Sequence, residues 1–257
     1  MPERPDRPKM GKNIVPAPTD DGVSFYSKTA TDFHASYDTD PNRIERIRVW
    51  NEFLDRYVPG ARFAYDIGCG SGVLACELGR RGVETVGIDG AAGMLAIAER
   101  TATAGELNNV SFQQQRLPIS DTTSFRLADL IVSSSAIEYL QSVPVALHFL
   151  CSLLREGGVS IFSISNRASI SRRLVRTVHR LTGHPPYLKY LRHFMILEEI
   201  RSAVEAAGLT YLEHTYFGGA DRLNRFLGMA LPSRFANNMI IVAARKGTGT
   251  DRPSSVM

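Results

Sequence analysis

The residues best suited to chemistry in this sequence form a glycine-rich turn that is guarded by two carboxylates. The turn reads DIGCGSG from Asp66 onward, and Asp89 closes the next apolar run. Gly68 and Gly70 carry no side chains, so a ligand could lie against backbone N–H groups where a helix begins. Asp66 would repel a pyrophosphate and attract a cation, and Asp89 could accept hydrogen bonds from ribose hydroxyls. The pattern favours a cationic adenosyl ligand, S-adenosylmethionine.

The spacing of the glycines also argues against a dinucleotide. A dinucleotide fingerprint needs Gly-x-Gly-x-x-Gly, whereas this turn has Gly-x-Gly-x-Gly, with Val73 at the position of the last glycine. The turn lies between a strand predicted over residues 63–67 and a helix predicted over residues 73–78. Gly82 is expected to end that helix, and residues 83–88 are predicted to form the next strand. These elements would hold both carboxylates at one edge of a sheet. Further strands are predicted over residues 110–114, 129–133, 159–163, 209–217 and 238–246, with a loop between the last two.

Several motifs in order resemble a known family. The sequence DIGCGSG followed by GVETVGID resembles the first two motifs of class I S-adenosylmethionine-dependent methyltransferases, and the likeness covers about residues 26–246. FRLADLIVSSSAIEYL and LLREGGVSIFSISN are similar to the fourth-strand and fifth-strand regions of the small-molecule branch, such as the ubiquinone-pathway O-methyltransferases. The resemblance implies an α/β fold. It would have a Rossmann-like, seven-stranded, mostly parallel sheet with helices on both faces, an N-terminal helical lid over residues 23–57 and a helical insertion after strand five.

The same resemblance implies a cofactor, S-adenosyl-L-methionine, with S-adenosyl-L-homocysteine as its product. Met94 would lie near the adenine, and Gln115 stands where the family often has an acidic residue for the adenine amino group. A glutamine amide could still accept that hydrogen bond. Tyr26 or Tyr37 of the lid would lie near the methionine end. The expected cofactor-binding residues are Tyr26, Tyr37, Asp66, Gly68, Cys69, Gly70, Asp89, Gly90, Met94, Gln115, Arg116, Leu117, Ser133 and Ser134.

The loop after the fourth strand bears on metal use and on catalysis. In the ubiquinone-pathway enzymes that it resembles, two glutamates and a histidine can hold a metal, and this chain has Ser135, Glu138 and Tyr139 there. A hard cation needs several oxygen ligands, so we expect a metal-independent reaction. Tyr139 would then orient the substrate, and His193 and His34 are candidates for a general base, although a nucleophilic amine would need none. The expected substrate-binding residues are Ser135, Tyr139, Tyr187, His193 and Phe217.

Residues 166–195 form a basic insertion that is predicted to cap the cavity. No acidic residue occurs between Glu156 and Glu198, and the segment SISRRLVRTVHRLTG reads as a basic amphipathic helix. Such a charge run is usually a solvated face. Its position beside the crevice favours a cap over an anionic or lipophilic substrate, with peripheral membrane contact as a further expectation. The Pro-Pro-Tyr sequence that ends at Tyr187 resembles a motif of adenine-specific nucleic-acid methyltransferases, but that motif must follow the fourth strand.

Length and composition indicate one domain. A chain of 257 residues with 44% hydrophobic content can bury one large core, so residues 23–246 are expected to form the methyltransferase domain between disordered tails at 1–22 and 247–257. No run of about 18 apolar residues occurs, which argues against a membrane-spanning helix. The N-terminal segment lacks the apolar core of a signal peptide, so a cytoplasmic location is expected. Cys69, Cys76 and Cys151 show neither disulfide nor zinc spacing.

The favoured function is in-line transfer of a methyl group to an oxygen or nitrogen atom of a small, aromatic or heteroaromatic biosynthetic metabolite. Two alternatives stay open. One is an RNA or DNA methyltransferase that uses the basic insertion on phosphates, and the other is a noncatalytic S-adenosylmethionine-binding subunit that activates a partner. A net charge of only +4 weighs against nucleic acid, and the complete cofactor motif set weighs against the noncatalytic subunit. Neither the acceptor atom nor the oligomeric state follows from the sequence.

Overall fold

A seven-stranded sheet organises the computed structural model of this chain, which describes residues 21–119 and 121–248. The strands are β1 Phe63–Ile67, β2 Glu84–Asp89, β3 Val110–Gln114, β4 Ala128–Ser134, β5 Leu154–Ser165, β6 Leu209–Phe217 and β7 Met239–Lys246. Their order is β3-β2-β1-β4-β5-β7-β6. Strands β1 to β5 pair in parallel, and β7 is antiparallel to both of its neighbours. The Rossmann-like, mostly parallel sheet expected from the sequence is therefore confirmed.

Helices connect the strands. Within the described residues they are α1 Gly22–Lys28, α2 Ala30–Thr39, α3 Pro41–Tyr57, α4 Val73–Arg80, α5 Ala92–Ala104, α6 Val143–Leu153, α7 Ile170–Thr182, α8 Leu197–Ala206, α9 Arg222–Ala230 and α10 Ser233–Ala236. Short 3-10 turns at Ile137–Tyr139 and Pro186–Lys189 follow β4 and α7. Side-chain oxygens cap several of these helices at backbone N–H groups that have no partner within the helix, and the capping residues are Asp21, Asp40, Ser142, Ser169 and Asp221.

The hydrophobic core lies on both faces of the sheet. Successive side chains of a strand point to opposite faces, so Phe162 of β5 packs in the same cluster as Leu147 of α6. Its neighbour Ile161 belongs to the other cluster, with Trp50 and Phe53 of α3. Because helices cover both faces, the open crevice lies at the carboxyl ends of the strands. In sheets of this kind ligands bind at that edge, where the strand order reverses.

The N-terminal helices and the insertion after β5 flank this edge. Helices α1 and α2 lie against α5, where the backbone N–H of Gly93 donates to Ser27 Oγ at 2.8 Å. Arg116 forms an ion pair with Asp21 at 2.6 Å, which ties the start of α1 to the segment after β3. On the other side, α7 and the 3-10 turn at Pro186–Lys189 follow β5. The helical lid and the helical insertion expected from the sequence are both present.

Two elements differ from the sequence-based expectation. The sequence predicts a loop between β6 and β7, whereas the structure has α9 and α10 there. Asp221 caps α9 through the backbone N–H of Asn224 at 2.9 Å, but Gly228 inside α9 and Pro232 between the two helices are typical of a loop. Strand β5 begins at Leu154, ahead of the predicted residue 159, because Leu154 pairs with Ala128 beyond a shift in strand register. Neither difference moves the carboxyl edge of the sheet.

The ends of the domain are described in part. Helix α1 begins at Gly22, inside the segment expected to be a tail, and Asp21 caps it. The rest of the two tails expected from the sequence, residues 1–20 and 249–257, lies outside the described ranges. Among the described residues, no helix combines the length and the apolar content needed to cross a bilayer.

Candidate functional site

The glycine turn joins β1 to α4 at the carboxyl edge of the sheet. Gly68 and Gly70 have φ angles of 71° and 52°, in the left-handed region that favours glycine. A Cβ on Gly68 would lie 2.2 Å from the Cβ of Ala136, so packing requires a glycine there. A Cβ on Gly70 would meet no atom within 4 Å and would project into open space. The turn therefore presents bare backbone to a ligand.

Asp66 lies at the end of β1, beneath the turn, and is 1% exposed. Its Oδ2 accepts a hydrogen bond from the backbone N–H of Ala75 at 3.0 Å, which ties it to the first turn of α4. Burial raises the pKa of the Asp66 carboxyl to about 8, although that hydrogen bond acts in the opposite direction. A nearby positive charge favours the ionised form of a carboxyl group. Asp66 can therefore ionise in response to a cation that enters the cavity.

Asp89 ends β2 and connects the turn to the start of α5. Its Oδ2 accepts from the backbone N–H of Gly70 at 2.9 Å, and its Oδ1 accepts from that of Ala91 at 2.8 Å. Burial raises the pKa of the Asp89 carboxyl, and these backbone hydrogen bonds oppose the rise. A carboxylate has about four lone-pair sites, so it can still accept a hydrogen bond from a ligand hydroxyl. Such bonds are the ones expected with a ribose.

A large cavity, about 1360 Å³ in volume, opens beside this turn. Ligand pockets are usually about 300–1,000 Å³, so the space suffices for a nucleoside cofactor and a second molecule. The expected cofactor residues that line it are Tyr26, Tyr37, Asp66, Gly68, Cys69, Gly70, Asp89, Gly90, Met94, Arg116, Leu117 and Ser134. The expected substrate residues that line it are Ser135, Tyr139, Tyr187 and Phe217. The structure thus brings most of the expected site residues together.

Two of the expected cofactor residues do not line the cavity. Ser133 is buried within β4, and its Oγ donates to the carbonyl oxygen of Ile67 at 2.8 Å. Gln115 follows β3, and its backbone N–H donates to the carbonyl oxygen of Asp89 at 3.0 Å. Its side chain is not part of the cavity wall. Successive side chains of a strand point in opposite directions, which explains why Ser134 lines the cavity and the adjacent Ser133 does not.

The two histidines expected to act as bases also lie outside the cavity wall. The Nε2 of His193 lies 3.0 Å from the carbonyl oxygen of Leu140 and 3.2 Å from that of Gln141. Carbonyl oxygens only accept, so this nitrogen carries the proton and donates it to them. The Nδ1 of His34 lies 3.0 Å from Ser71 Oγ. Both rings therefore hold local structure in this arrangement.

Two phenols join the lid to the loop after β4. The hydroxyl oxygens of Tyr26 and Tyr139 lie 2.6 Å apart, and their rings pack edge to face. Burial raises the pKa of Tyr26 to about 12, and it raises the pKa of Tyr139 well above its usual range. Both groups therefore stay neutral near pH 7. The pair can donate a hydrogen bond to a ligand, but it cannot serve as a base.

Glu138 is a cavity-lining carboxyl group that the sequence connected only with a metal. It is 2% exposed, its Oε1 accepts from Ser165 Oγ at 3.1 Å, and its Oε2 accepts from the backbone N–H of Ser165 at 3.2 Å. Burial raises the pKa of Glu138 to about 7, although the positive charges of Arg172 and Arg46 favour its ionised form. A base works best when its pKa lies near the operating pH. Glu138 meets that condition.

The arginines around Glu138 also line the cavity, and the sequence did not single out Arg46. Arg172 Nη1 donates to the hydroxyl of Tyr187 at 3.0 Å, and its buried Nε has no hydrogen-bond partner. Among the described residues, neither Arg46 nor Arg172 forms an ion pair with a carboxylate. These residues come from α3 and α7, far apart in sequence. Their convergence is visible only in the fold.

Buried hydroxyls also line the cavity. The Oγ atoms of Ser134 and Ser135 are buried without a hydrogen-bond partner, and Ser135 has a φ of 53°. A non-glycine residue in this region is uncommon and often marks a functional position. Together with the bare turn at Gly70, these orphan groups fit a polar ligand in the cavity. Within residues 21–119 and 121–248, no group of three His, Cys, Asp or Glu side chains is placed to hold a metal, and metal independence stays a prediction.

Comparison with known proteins gives a family match and several relatives. The profile of a protein family described as "Methyltransferase domain" matches residues 43–214. A ubiquinone biosynthesis O-methyltransferase of Methylobacterium nodulans is 26% identical over 152 residues, which cover 58% of this chain and 60% of that protein. The chain thus spans between about half and two thirds of the length of the curated relatives it matches.

Solved structures share the fold. Magnesium protoporphyrin IX methyltransferase from Synechocystis PCC 6803, solved with bound SAH, has a TM-score of 0.65 at 14% identity. The match covers 88% of this chain and 100% of that chain. A second neighbour is a complex from Haloferax volcanii between the Trm112 methyltransferase activator and a putative methyltransferase. Its TM-score is 0.62 at 16% identity, with 87% of this chain and 98% of that chain covered. At these identities the likeness shows the fold alone.

Proposed function

This chain belongs to the methyltransferase-domain family, and we propose on that basis that it transfers the methyl group of S-adenosylmethionine to a small molecule. The observation that carries the proposal is the bare glycine turn with Asp66 and Asp89 facing one cavity. Asp89 would accept hydrogen bonds from the ribose, and Asp66 would lie near the positive end of the cofactor. The product would be S-adenosylhomocysteine. The name of the Methylobacterium relative supports an oxygen acceptor, and nitrogen is the alternative.

The acceptor is proposed to be small and aromatic or heteroaromatic. The part of the cavity beyond the turn is lined by Tyr26, Tyr139 and Tyr187, and aromatic rings pack favourably against one another. The lid and the insertion enclose this part, which suits a small molecule better than a nucleic-acid strand. The positive charges of Arg46 and Arg172 would favour an acceptor that is acidic or that develops negative charge.

Glu138 is proposed as the proton acceptor in the reaction. When bound, the cofactor supplies a methyl group on a positively charged sulfur. Glu138 would take the proton of the acceptor hydroxyl or amine as the acceptor atom bonds to that methyl group, and it would release the proton to solvent after the product leaves. The Tyr26 and Tyr139 hydroxyls would orient the acceptor. Holding two reactants in near-attack geometry can lower the barrier by ~7–11 kcal/mol, and a positioned base adds roughly 10²–10⁴-fold.

Calorimetric titration with S-adenosylmethionine and S-adenosylhomocysteine tests the cofactor assignment. We expect the wild-type protein to bind both, and Asp89→Ala to weaken binding by roughly 100-fold or more, since hydrogen bonds to a charged group contribute ~1.5–3 kcal/mol each. Glu99→Ala is the matched control, because Glu99 is an exposed carboxylate on α5. A protein that binds neither ligand, or an Asp89→Ala variant that binds as wild type does, would refute the proposal.

Transfer is tested with the methyl-tritiated cofactor and a panel of phenols, heteroaromatic compounds and amines. We expect label to enter a member of the panel, and loss of that label when Asp89 is replaced by alanine. Binding of the cofactor without transfer to any member would favour the noncatalytic subunit considered from the sequence. The cytoplasmic location expected from the sequence stays a prediction.

A further inference from the structure

Helix α7 turns an apolar stripe toward solvent. Ile170, Leu174, Val178 and Leu181 recur at helical spacing on one side of the helix, and their exposed fractions run from 39% to 81%. An amphipathic helix of a globular protein normally turns such a stripe toward the core. Here only Ser171 of α7 is buried. The exposed stripe is the same one that the sequence indicated.

Helix α9 exposes a second apolar stripe. Leu223, Phe226 and Met229 are 43% to 79% exposed, and α10 contacts both α7 and α9. Of the ten large apolar side chains that are exposed within the described ranges, seven lie on these two helices. Scattered exposed leucines are ordinary, but a concentration of this kind marks an interaction surface.

An apolar groove borders the stripe of α7. It has a volume of about 480 Å³, and its wall is formed by Leu174, Val175, Val178, His184, Pro185 and Pro186. The groove lies between α7 and the start of the 3-10 turn at Pro186–Lys189. Such a groove can bind part of an apolar chain, whereas a helix surface without a groove could not.

Positive charge accompanies the stripes. Arg173 and Arg180 lie on α7, and Arg176 packs over the ring of Phe194 at 4.2 Å. Burial lowers the pKa of Arg176, and the nearby charges of Arg180 and Arg167 lower it further. Across the described ranges, no carboxylate forms an ion pair with an arginine of α7. The arginines thus form a positive field that the protein itself does not neutralise.

We propose that the exposed faces of α7 and α9 dock on a lipid bilayer that contains anionic lipids. The apolar stripes would enter the boundary between headgroups and acyl chains, and the arginines would contact lipid phosphates, as an interfacial amphipathic helix does. Nucleic acid suits this surface less well, because its phosphates would pair with arginines but would leave the leucines in water. A second copy of the chain suits it less well too, because two arginine-rich faces repel each other.

The position of this surface links it to the cavity. Arg172 of α7 and Tyr187 of the following turn line the cavity, so the docking helix forms part of its wall. A bilayer docked on the stripes would therefore lie next to an element of the cavity wall. The docking proposal itself does not depend on methyl transfer, because the stripes are separate from the glycine turn and its carboxylates.

Co-sedimentation with vesicles tests the proposal. The probes are vesicles of phosphatidylcholine alone and of phosphatidylcholine mixed with phosphatidylglycerol. We expect the wild-type chain to sediment with the mixed vesicles and much less with phosphatidylcholine alone. The double variant Leu174→Gln/Leu181→Gln should lower the partition constant by at least about tenfold, since burial of one leucine contributes ~1.5–3 kcal/mol. Phe226→Gln/Met229→Gln should weaken binding similarly. Arg173→Gln and Arg180→Gln should each lower it roughly fivefold, at about 1 kcal/mol per charge.

Leu127→Gln is the matched control, because Leu127 is 53% exposed and lies outside both helices. It should bind vesicles as the wild type does, and thermal melts should show that all variants are folded. Three results would overturn the proposal. In the first, the wild type does not bind anionic vesicles. In the second, only the arginine variants lose vesicle binding, and duplex DNA competes with the vesicles. In the third, neither the wild type nor any variant binds vesicles, and Leu174→Gln/Leu181→Gln converts a dimer into a monomer.

Discussion

At the scale of single residues, the cavity owes its chemistry to carboxyl groups whose burial favours the neutral form. Asp66 and Glu138 have pKa values raised to about 8 and about 7, and burial is the largest cause for both. Each is placed where a ligand would change its charge. A cation beside Asp66 would favour its ionised form, and the loss of a proton from an acceptor would protonate Glu138.

Glu138→Gln tests the proposed base. A glutamine keeps the shape of the side chain but cannot take a proton, so turnover of an acceptor should fall by roughly 10²–10⁴-fold. Binding of S-adenosylhomocysteine should stay within about twofold of wild type, because the Glu138 carboxyl bonds Ser165 and makes no hydrogen bond to the glycine turn. Steady-state kinetics and calorimetry measure the two effects. The wild-type kcat/KM should fall as pH drops below about 7, since the carboxyl must be ionised to act.

Glu138→Asp is the companion to that variant. It retains a carboxylate on a shorter side chain, so it should recover part of the activity and keep the acidic limb of the pH profile. A Glu138→Gln enzyme that turns over at the wild-type rate would exclude this base. So would an unchanged acidic limb in its pH profile.

The pH dependence of stability tests Asp66. Its folded pKa of about 8 lies above the unfolded value near 4, so the fold favours the protonated form. That contribution is fully present below about pH 4 and is lost as pH rises through about 8, with a size on the order of a few kcal/mol. Asp66→Asn should remove it. In urea unfolding of the ligand-free protein, the free energy of unfolding should therefore decline less toward pH 9 (about one unit above that pKa) in the variant than in the wild type. Parallel curves for the two proteins would contradict the assignment.

At the scale of secondary-structure elements, the strand-turn-helix unit around Gly70 forms the binding surface. Gly70→Ala should place a methyl group in the space left for a ligand, because nothing in the protein lies within 4 Å of that Cβ. We expect S-adenosylhomocysteine binding to fall well beyond the effect on stability. The strained backbone should cost about 1–2 kcal/mol of unfolding free energy.

Gly60→Ala controls for that strain. Gly60 has a φ of 87°, and a Cβ there would also meet nothing within 4 Å, but it lies outside the cavity. The two variants should lose similar stability, and only Gly70→Ala should lose ligand binding. Calorimetry and thermal melts measure both quantities. Equal loss of binding in the two variants would show that strain, rather than blocked space, is the cause.

The elements also show how far a sequence predicts this fold. Strands β1, β2 and β4 were predictable because short apolar runs end at glycines or polar residues. Strand β3 Val110–Gln114 begins with alternating apolar and polar residues and has the predicted bounds. Helices α9 and α10 were not predictable, because Gly228 and Pro232 make that segment typical of a loop. The glycine turn and its carboxylates are adjacent in sequence and could be predicted. The environment of Glu138 could not, because Arg46, Arg172 and Ser165 come from three distant elements.

At the scale of the whole molecule, the first two helices of the lid, α1 and α2, are weakly anchored to the rest of the domain. Helix α1 has no buried residue, and α2 buries only Ala30, whereas α6 buries most of its length. Few buried contacts mean a small free energy of local opening. Residues of the lid line the same cavity as the glycine turn, so a ligand bound there should hold the lid closed.

Hydrogen exchange with mass spectrometry tests this coupling. In the ligand-free protein, amides of α1 and α2 should exchange faster than those of α6. At S-adenosylhomocysteine concentrations of about 100 times Kd, exchange in the lid should slow by up to roughly 100-fold, while the rate in α6 changes little. Equal slowing in the lid and in α6 would instead indicate global stabilisation without lid closure.

The strand order has a consequence for the synthesis of the protein. Strand β7 comes last among the strands described, yet it lies inside the sheet between β5 and β6. While the ribosome is still making residues 239–246, β6 has no neighbour to pair with, and one edge of β5 is bare. Unpaired edges invite wrong pairing with other chains. The nascent polypeptide is therefore prone to aggregation until β7 has been made, and premature stop codons just before β7 would leave these strand edges unpaired.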